Sequence, residues 1–497
     1  MASPNQMDEN AVRAVVEEVL KKLGGPGGNG SAAPAPSEAT ATWQQSRSRV
    51  NMAGGARHGI YKSGNEAAEA ASRGFEALRK QGMAGRAKIC GIVKRLCTDK
   101  QQEWGKLELD ETKIGRLDHK IEKLAGIAGV PGVEWLSPLG MSGDHGITME
   151  ERTPFGVVGA ITPVTHSVPT LACNIVNIVA AGNSVVFNAH PGGARCAAEA
   201  VRVFNQAIEH ETGMRDVVTI VEEPSLESFA ELCKSPHVRL LCVTGGPGVV
   251  SAAMKSGKRA ICAGPGNPPV LVDATAHLER AARNVIFGGA YDNNLLCIGE
   301  KEIFVVDAVY GKFIEALKHA GAVQVNDRQL ATLTDAAFEM KEKDGHPHPV
   351  LRRDLVGADA VRLARECGAS APAGTQLLFA ETDAEHPFVL EEQMMPLVPV
   401  VRVRDVPEGI AACVKAEHGY KHSSMIHSLN VEHMTAMAKA LDSTLFVKNG
   451  HCMSGLGVGG EGYASFSIAT TTGEGITTPA TFCRTRRCVM VDNLNIM

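Results

Sequence analysis

Aromatic residues make up only 4% of this 497-residue chain, and 52 positions are glycine, so close helix–sheet packing of small side chains is expected. The balance of 50 Lys and Arg against 55 Asp and Glu leaves a net charge of −5, with no basic footprint for nucleic acid. A membrane span is missing too: the apolar stretch 175–187 is interrupted by Asn177, Gly182 and Asn183, short of the roughly 20 apolar residues a bilayer requires. Residues 1–10 lack the basic-then-apolar order of an export signal, so no export is expected. The 13 cysteines are odd in number and without short paired spacing, which argues against a disulfide framework and for a reducing compartment. Hydrophobic content of 44% is ordinary for a globular protein, and the length exceeds what one core supports, so two or more domains are expected.

Over 1–23, Val12, Val15, Val16, Val19, Leu20 and Leu23 recur at helical spacing, with Arg13, Glu17, Glu18 and Lys21 on the other faces. Residues 24–42 are a Gly/Pro/Ala run that behaves as a flexible tether. A short isolated helix is marginal in water, and each buried Val or Leu contributes roughly 1.5–3 kcal/mol, so this stripe calls for a docking partner. Folding back onto its own domain or an oligomer contact is the competing reading.

From residue 43 to 244, helical patterns alternate with the β-rich runs 156–162, 184–188, 217–221 and 240–243, which predicts a parallel α/β unit. A second α/β unit is expected over 245–442, with strands at 303–306 and 397–403. Residues 443–497 are expected to return to the first unit and to end in a strand over 488–496.

One thiol stands out. Cys297 lies between a helical pattern, Leu278, Ala281, Ala282, Val285 and Ile286, and a β-rich run from Glu302 to Val306, which places it on a connecting loop. A reactive thiol needs polar or cationic neighbours to stabilise its thiolate, and Asn293 and Asn294 are candidates. Taken alone, Cys297 reads as a packed small hydrophobe. Its company reverses this: Thr153-Pro154-Phe155-Gly156-Val157-Val158-Gly159 with Thr162-Pro163, then Ala181-Gly182-Asn183, Thr244-Gly245-Gly246 and Glu391-Glu392-Gln393. These motifs resemble the aldehyde dehydrogenase superfamily. Gly264-Pro265-Gly266-Asn267-Pro268, the run from Asp292 to Cys297 and Thr472-Gly473-Glu474-Gly475 narrow the resemblance to the CoA-acylating propionaldehyde and acetaldehyde dehydrogenases of bacterial microcompartments.

That resemblance implies a Rossmann-type cofactor domain, a second α/β catalytic domain and a small oligomerisation sheet, part of it near 133–152. It also implies a homodimer or tetramer and reads the amino-terminal helix as an encapsulation peptide docking on shell or cargo proteins. The implied chemistry is attack of Cys297 on a short-chain aldehyde, hydride loss to NAD, and transfer of the Cys297 thioester to CoA, giving acyl-CoA and NADH in the microcompartment lumen. Propionaldehyde is slightly preferred over acetaldehyde. The Cys297 amide is the implied oxyanion donor, with Thr165 and His166 as candidates for the second; a satisfied structural histidine is the competing reading of His166.

Hydrolytic relatives carry a water-activating glutamate in a Glu-Leu-Gly-Gly motif. Here that stretch reads Cys262-Ala263-Gly264-Pro265, with no carboxylate. Losing a positioned base costs roughly 10²–10⁴ in rate, enough to favour CoA over water. Substitution by Glu300 or Glu392, and hence a hydrolytic enzyme, stays open, as does a non-catalytic cargo or scaffold protein. By the same resemblance, cofactor contacts are expected from Thr162, Pro163, Asn188, the helix start Thr244-Gly245-Gly246-Pro247, and Glu392. NAD is expected, with NADP open. Gly455-Leu456-Gly457-Val458-Gly459-Gly460 matches a dinucleotide fingerprint, but too little chain follows to complete its βαβ unit, so it reads as a glycine loop near the active site. No metal site is expected.

Overall fold

The computed structural model describes residues 57–343 and 346–494. The helix and tether expected over 1–42 lie outside these residues.

The described chain opens with β1 (Ile60–Tyr61) and α1 (Gly64–Asp99). The Ser63 hydroxyl caps α1 by accepting from the Glu66 amide, and the helix breaks at Gly82, whose φ of +62 suits glycine. Next come α2 (Gln101–Thr112), α3 (Leu117–Ala125), and an antiparallel hairpin of β2 (Leu139–Gly143) and β3 (Gly146–Pro154). Strands and helices then alternate: β4 (Val157–Thr162), α4 (Ser167–Ala180), β5 (Ser184–Ala189), α5 (Ala194–Thr212), β6 (Val218–Val221), α6 (Leu226–Lys234), β7 (Val238–Thr244), α7 (Pro247–Lys255) and β8 (Arg259–Ala263).

β1, β6, β5, β4, β7 and β8 lie side by side in that order, all parallel. Helices cover both faces, which explains why β4 and β5 are buried at every position and read as near-continuous apolar runs. α4 is buried throughout, and its apolar residues accordingly surround the helix instead of forming one stripe.

The second unit runs through β9 (Pro269–Val272), α8 (Leu278–Ala290), β10 (Glu302–Val306), β11 (Val323–Gln324), β14 (Leu378–Thr382), β15 (Leu397–Val403), β16 (Ser423–His427) and β17 (Leu445–Lys448). Between β11 and β14, β12 (Phe338–Lys343) and β13 (His346–Leu351) form a separate antiparallel ribbon. The parallel sheet has the order β11-β14-β15-β10-β9-β16-β17, so β10 and β9 are central.

Two expected boundaries move. β8 belongs to the first sheet, so the chain changes sheets within 264–268 and not at 245; only the last three residues of β8 are buried, too short an apolar run to read as a strand. β17 pairs with β16, so the second sheet continues past 442. The return to the first unit is made further on, where Ser467 donates to Asn174 of α4 and the Cys262 amide donates to Thr472.

After the short pair β18 (Ile468–Ala469) and β19 (Gly475–Ile476), β20 (Cys483–Val491) pairs antiparallel with β3. The expected terminal strand thus starts five residues early, at Cys483, and ends at Val491. Leu139, Met141, Val489, Met490 and Val491 of this three-stranded sheet are exposed.

The connection 264–268 joins the carboxyl end of β8 to the amino end of β9, so the carboxyl edge of the first sheet faces the amino edge of the second. Ligands of open α/β sheets sit at strand carboxyl ends. Here the opposing edge supplies reactive side chains just before β9, β10, β15 and β16.

Candidate active site

The loop carrying Cys297 is set by three consecutive left-handed residues: Asp292, Asn293 and Asn294 have φ of +48, +56 and +62. Asp and Asn tolerate this region better than other side-chain-bearing residues, and a neighbouring bond network holds each one. Asp292 Oδ1 accepts from the Arg116 amide at 2.7 Å. Asn293 donates to Gly357 O and Asp359, and Asn294 donates to Gly289 O and Glu300 O. The side-chain amides expected to support the thiolate therefore clamp the loop instead, because their N–H groups are consumed by its own turn and by the segment at 357–359.

Cys297 is half-buried, and burial pushes its thiol up to about 12, with Glu392 adding to the shift. Lys301 and the amides of Cys297 and Ile298 act in the opposite direction. Gly266 passes against this loop: a Cβ there would lie 2.5 Å from Cys297 O and 2.9 Å from the His422 ring. Its amide donates to Glu392, whose carboxyl is raised by burial and drawn back by Lys301.

His422 is fully buried at the start of β16. Its Nδ1 lies 2.8 Å from Ser423 Oγ, its amide donates to Glu417, and its Nε2 has no hydrogen-bond partner among the described residues. Burial, then Lys301, holds the imidazole down to about 4, so it is neutral at physiological pH. Neither His422 nor Lys301 was picked out from the sequence. Lys301, four residues after the cysteine, was the more accessible signal; His422 carries no local motif.

Glu300 was one candidate substitute base. Its Oε1 accepts from the Cys452 amide at 2.9 Å and its carboxyl packs against Gly288, on the helix side of the loop. Burial raises it to about 7. The folded state therefore holds a proton that the unfolded chain releases near 4.5, and stability falls as pH rises from about 4.5 to about 7. Glu300→Gln is expected to remove about 3 kcal/mol of that dependence, read as a flatter plot of urea-unfolding free energy against pH; an unchanged slope would contradict it.

A second buried network ties this loop to the first unit. Lys123 Nζ lies 2.5 Å from Asp292 and 3.4 Å from Thr165 O, while Lys120 pairs with Glu108 at 2.9 Å and also approaches Thr165 O. Glu108 in turn accepts from the Val168 amide at the start of α4. His166 sits beside these lysines with Nδ1 unpartnered, and burial, then Lys123 and Lys120, keeps it well below the usual imidazole range. Thr165 and His166 are thus linked to the nucleophile loop through Lys123. Among the described interactions, none joins His166 to Cys297. Lys123→Met would strand the Asp292 carboxylate and is expected to cost roughly 3–5 kcal/mol in chemical denaturation; a loss below about 1 kcal/mol would contradict it.

The residues expected to meet a cofactor lie at the carboxyl ends of the first sheet's strands. Thr162 ends β4 with its hydroxyl buried and unpartnered, followed by half-buried Pro163. Gly246 caps α7, Pro247 is its first residue, and no non-local atom comes within 4 Å of a Cβ built at Gly246 or Gly248, so backbone amides can be approached closely. This open helix start fits a pyrophosphate. Thr244 lies behind it, 3.1 Å from Ser467 Oγ, and the Gly245 amide bonds Ala263 O. Asn188 is differently employed: it accepts from Ser228 Oγ at 2.6 Å and donates to Ser225 O, fixing the start of α6.

Where hydrolytic relatives carry a glutamate, the Cys262 amide donates to Thr472, which donates to Glu474. This carboxylate comes from the late Thr472–Thr477 segment and was not anticipated. Its partner is a hydroxyl, and of the carboxylates described only Glu392 perturbs the Cys297 thiol. The glycine run 455–460 begins inside a short 3₁₀ turn, Cys452–Leu456, and among the described residues no α-helix follows it.

The half-buried Cys297 lies ahead of β10 in one parallel α/β unit, and an open helix start follows β7 in the other, an arrangement suited to an oxidoreductase. The aldehyde dehydrogenase family model matches residues 51–470. The chain is 41% identical over 441 residues to the acetylating acetaldehyde dehydrogenase of Salmonella typhimurium, covering 88% of this chain and 94% of that one. It is 39% identical to the propionaldehyde dehydrogenase of Rhodopseudomonas palustris, solved with bound CoA and an acylated cysteine, with TM-score 0.85 and coverage of 88% and 100%. A propionaldehyde dehydrogenase from the fucose-utilisation microcompartment of Clostridium phytofermentans gives 38%, 0.85, 88% and 100%. This chain belongs to the aldehyde dehydrogenase family, in its CoA-acylating branch.

Proposed function

We propose that this enzyme oxidises propionaldehyde or acetaldehyde with NAD and CoA to the acyl-CoA and NADH, through a thioester on Cys297. The observation that carries this reading is the company of the thiol: a buried neutral imidazole with a free Nε2 beside it, and no water-activating glutamate at 262–265. Cys297 attacks the aldehyde carbonyl and its own amide receives the oxyanion, with Thr165 or His166 as second donor. NAD supplies the hydride acceptor. Thr162, Pro163, Glu392 and the α7 start, Thr244 to Pro247, hold the dinucleotide, with Asn188 supporting its adenosine end through α6. His422 Nε2 takes the proton of the CoA thiol, which then attacks the Cys297 thioester and restores the free thiol.

The exposed apolar residues of the β2-β3-β20 sheet support assembly into a dimer or tetramer. The amphipathic stripe at 12–23, the tether and the microcompartment relative support residence in a microcompartment lumen, docked on shell or cargo proteins. Incubation with propionaldehyde, NAD and CoA is expected to give propionyl-CoA by mass spectrometry. Propionate as the sole product would overturn the reading.

A further inference from the structure

Asp292 opens the run of left-handed residues that leads to Cys297, with φ of +48. Such backbone is unfavourable for a residue other than glycine and persists only where its surroundings over-determine it. One side of α3 supplies three bonds to this residue, from positions 116, 119 and 123, which recur at helical spacing. The Arg116 amide donates to Asp292 Oδ1 at 2.7 Å, and Lys123 Nζ lies 2.5 Å from Oδ2. The third runs the other way: the Asp292 amide donates to His119 Nδ1 at 2.9 Å. The His119 ring is stacked on Tyr291, with centroids 4.3 Å apart and planes inclined by 22°.

Chemistry fixes the direction of that third bond. A backbone N–H only donates, so Nδ1 accepts, and it accepts only while it carries no proton. Protonation would set two donors against each other and leave the Asp292 amide without its acceptor. The His119 side chain is 19% exposed, so protons reach it from solvent. Arg116, Asp118 and Lys123 on α3 and Asp292 on the loop are the charged groups facing the ring, and Glu122 bonds its stacking partner Tyr291. Burial holds the imidazole below its usual range, with Asp118 and Asp292 opposing and Arg116 and Lys123 assisting.

Resting on the reading of Cys297 as the nucleophile, we infer that His119 is a positioning residue: its neutral ring holds the Asp292 amide, and with it the turn that presents the thiol, and its protonation releases that hold. Nδ1 takes the proton from solvent as pH falls and returns it as pH rises, so the loss of activity is reversible.

The test is the rate of the NADH burst with saturating propionaldehyde and NAD, without CoA, followed by stopped-flow absorbance from about pH 8 to about pH 5. His119→Phe keeps a ring for Tyr291 and removes the acceptor, whereas His119→Asn keeps an acceptor in the place of Nδ1 and does not titrate. At the alkaline end the His119→Phe burst is expected to be slower by roughly tenfold or more, with KM for NAD unchanged within about twofold. His119→Asn is expected to recover the burst to within about threefold of the parent rate. Ionisation of the thiol is common to all three proteins and cancels in the ratios of their rates. As pH falls, the His119→Phe ratio to the parent should climb toward one, and the His119→Asn ratio should rise above its alkaline value. Lost packing alone would leave both ratios flat.

A His119→Phe burst equal to the parent's, a His119→Asn burst as slow as that of His119→Phe, or ratios flat across the pH range would overturn the inference. Should His119→Phe fail to fold, the His119→Asn ratio carries the test by itself: a rise toward acid supports the inference and a flat line overturns it. Retention of the burst by Cys297→Ala would instead remove the underlying reading, whatever the His119 variants show.

Discussion

Cys297→Ala is expected to lower aldehyde-dependent NADH formation by about 10⁴-fold or more, with and without CoA, because no covalent intermediate can form. The side chain removed is one small sulfur at a half-buried position, and none of the bonds that clamp the loop through Asp292, Asn293 and Asn294 involve it. The variant should therefore keep its unfolding midpoint within a few degrees, which separates loss of chemistry from loss of fold. NADH release at more than about a hundredth of the parent rate would show that another group carries the reaction. Among the other cysteines, Cys262 is buried near the end of β8, is pushed up to about 11 by burial and Glu474, and its amide is tied to Thr472.

His422→Ala is expected to divide the reaction. The first turnover, one NADH per Cys297, needs the thiolate and the hydride acceptor, so the burst should persist. Release of the acyl group needs a base for the incoming CoA thiol, so steady-state turnover should fall by roughly 10²–10⁴. Stopped-flow absorbance with saturating CoA reads both phases. Loss of the burst in parallel with turnover would place His422 in acylation instead of transfer. With the imidazole held down to about 4, it stays in its basic form as pH falls through 6, and the acid limb of the transfer step should lie below the range usual for histidine.

The legible parts of this molecule were local ones. The run Leu397–Val403 and the run Glu302–Val306 became strands at the expected residues because each is a bounded, β-rich, buried segment. The loop position of Cys297 was legible because it falls between a helical pattern, Leu278 to Ile286, and the β-rich run Glu302–Val306. The neighbours of the thiol were not, since they depend on strand order: β9 lies between β10 and β16, which brings Gly266, Cys297 and His422 together across more than a hundred residues of sequence. No periodicity encodes that adjacency. The asparagines show the reverse error, where residue chemistry was read correctly but its direction was not. Three left-handed residues in a row commit their side chains to other partners: Asp292 to Arg116 and Lys123, Asn293 to Gly357 and Asp359, and Asn294 to Gly289, Glu300 and Lys301. β8 was missed as the last strand of the first sheet because its edge position leaves Arg259 exposed and Ala260 half-buried.

The central claim is that CoA, not water, receives the acyl group from Cys297. Its most direct test is NADH formation by the purified protein from propionaldehyde and NAD, run with and without CoA. The account predicts a single-turnover burst without CoA and sustained turnover only when CoA is added. Equal sustained rates in both, with propionate accumulating, would contradict it and turn attention to a carboxylate such as Glu474 as the base for water.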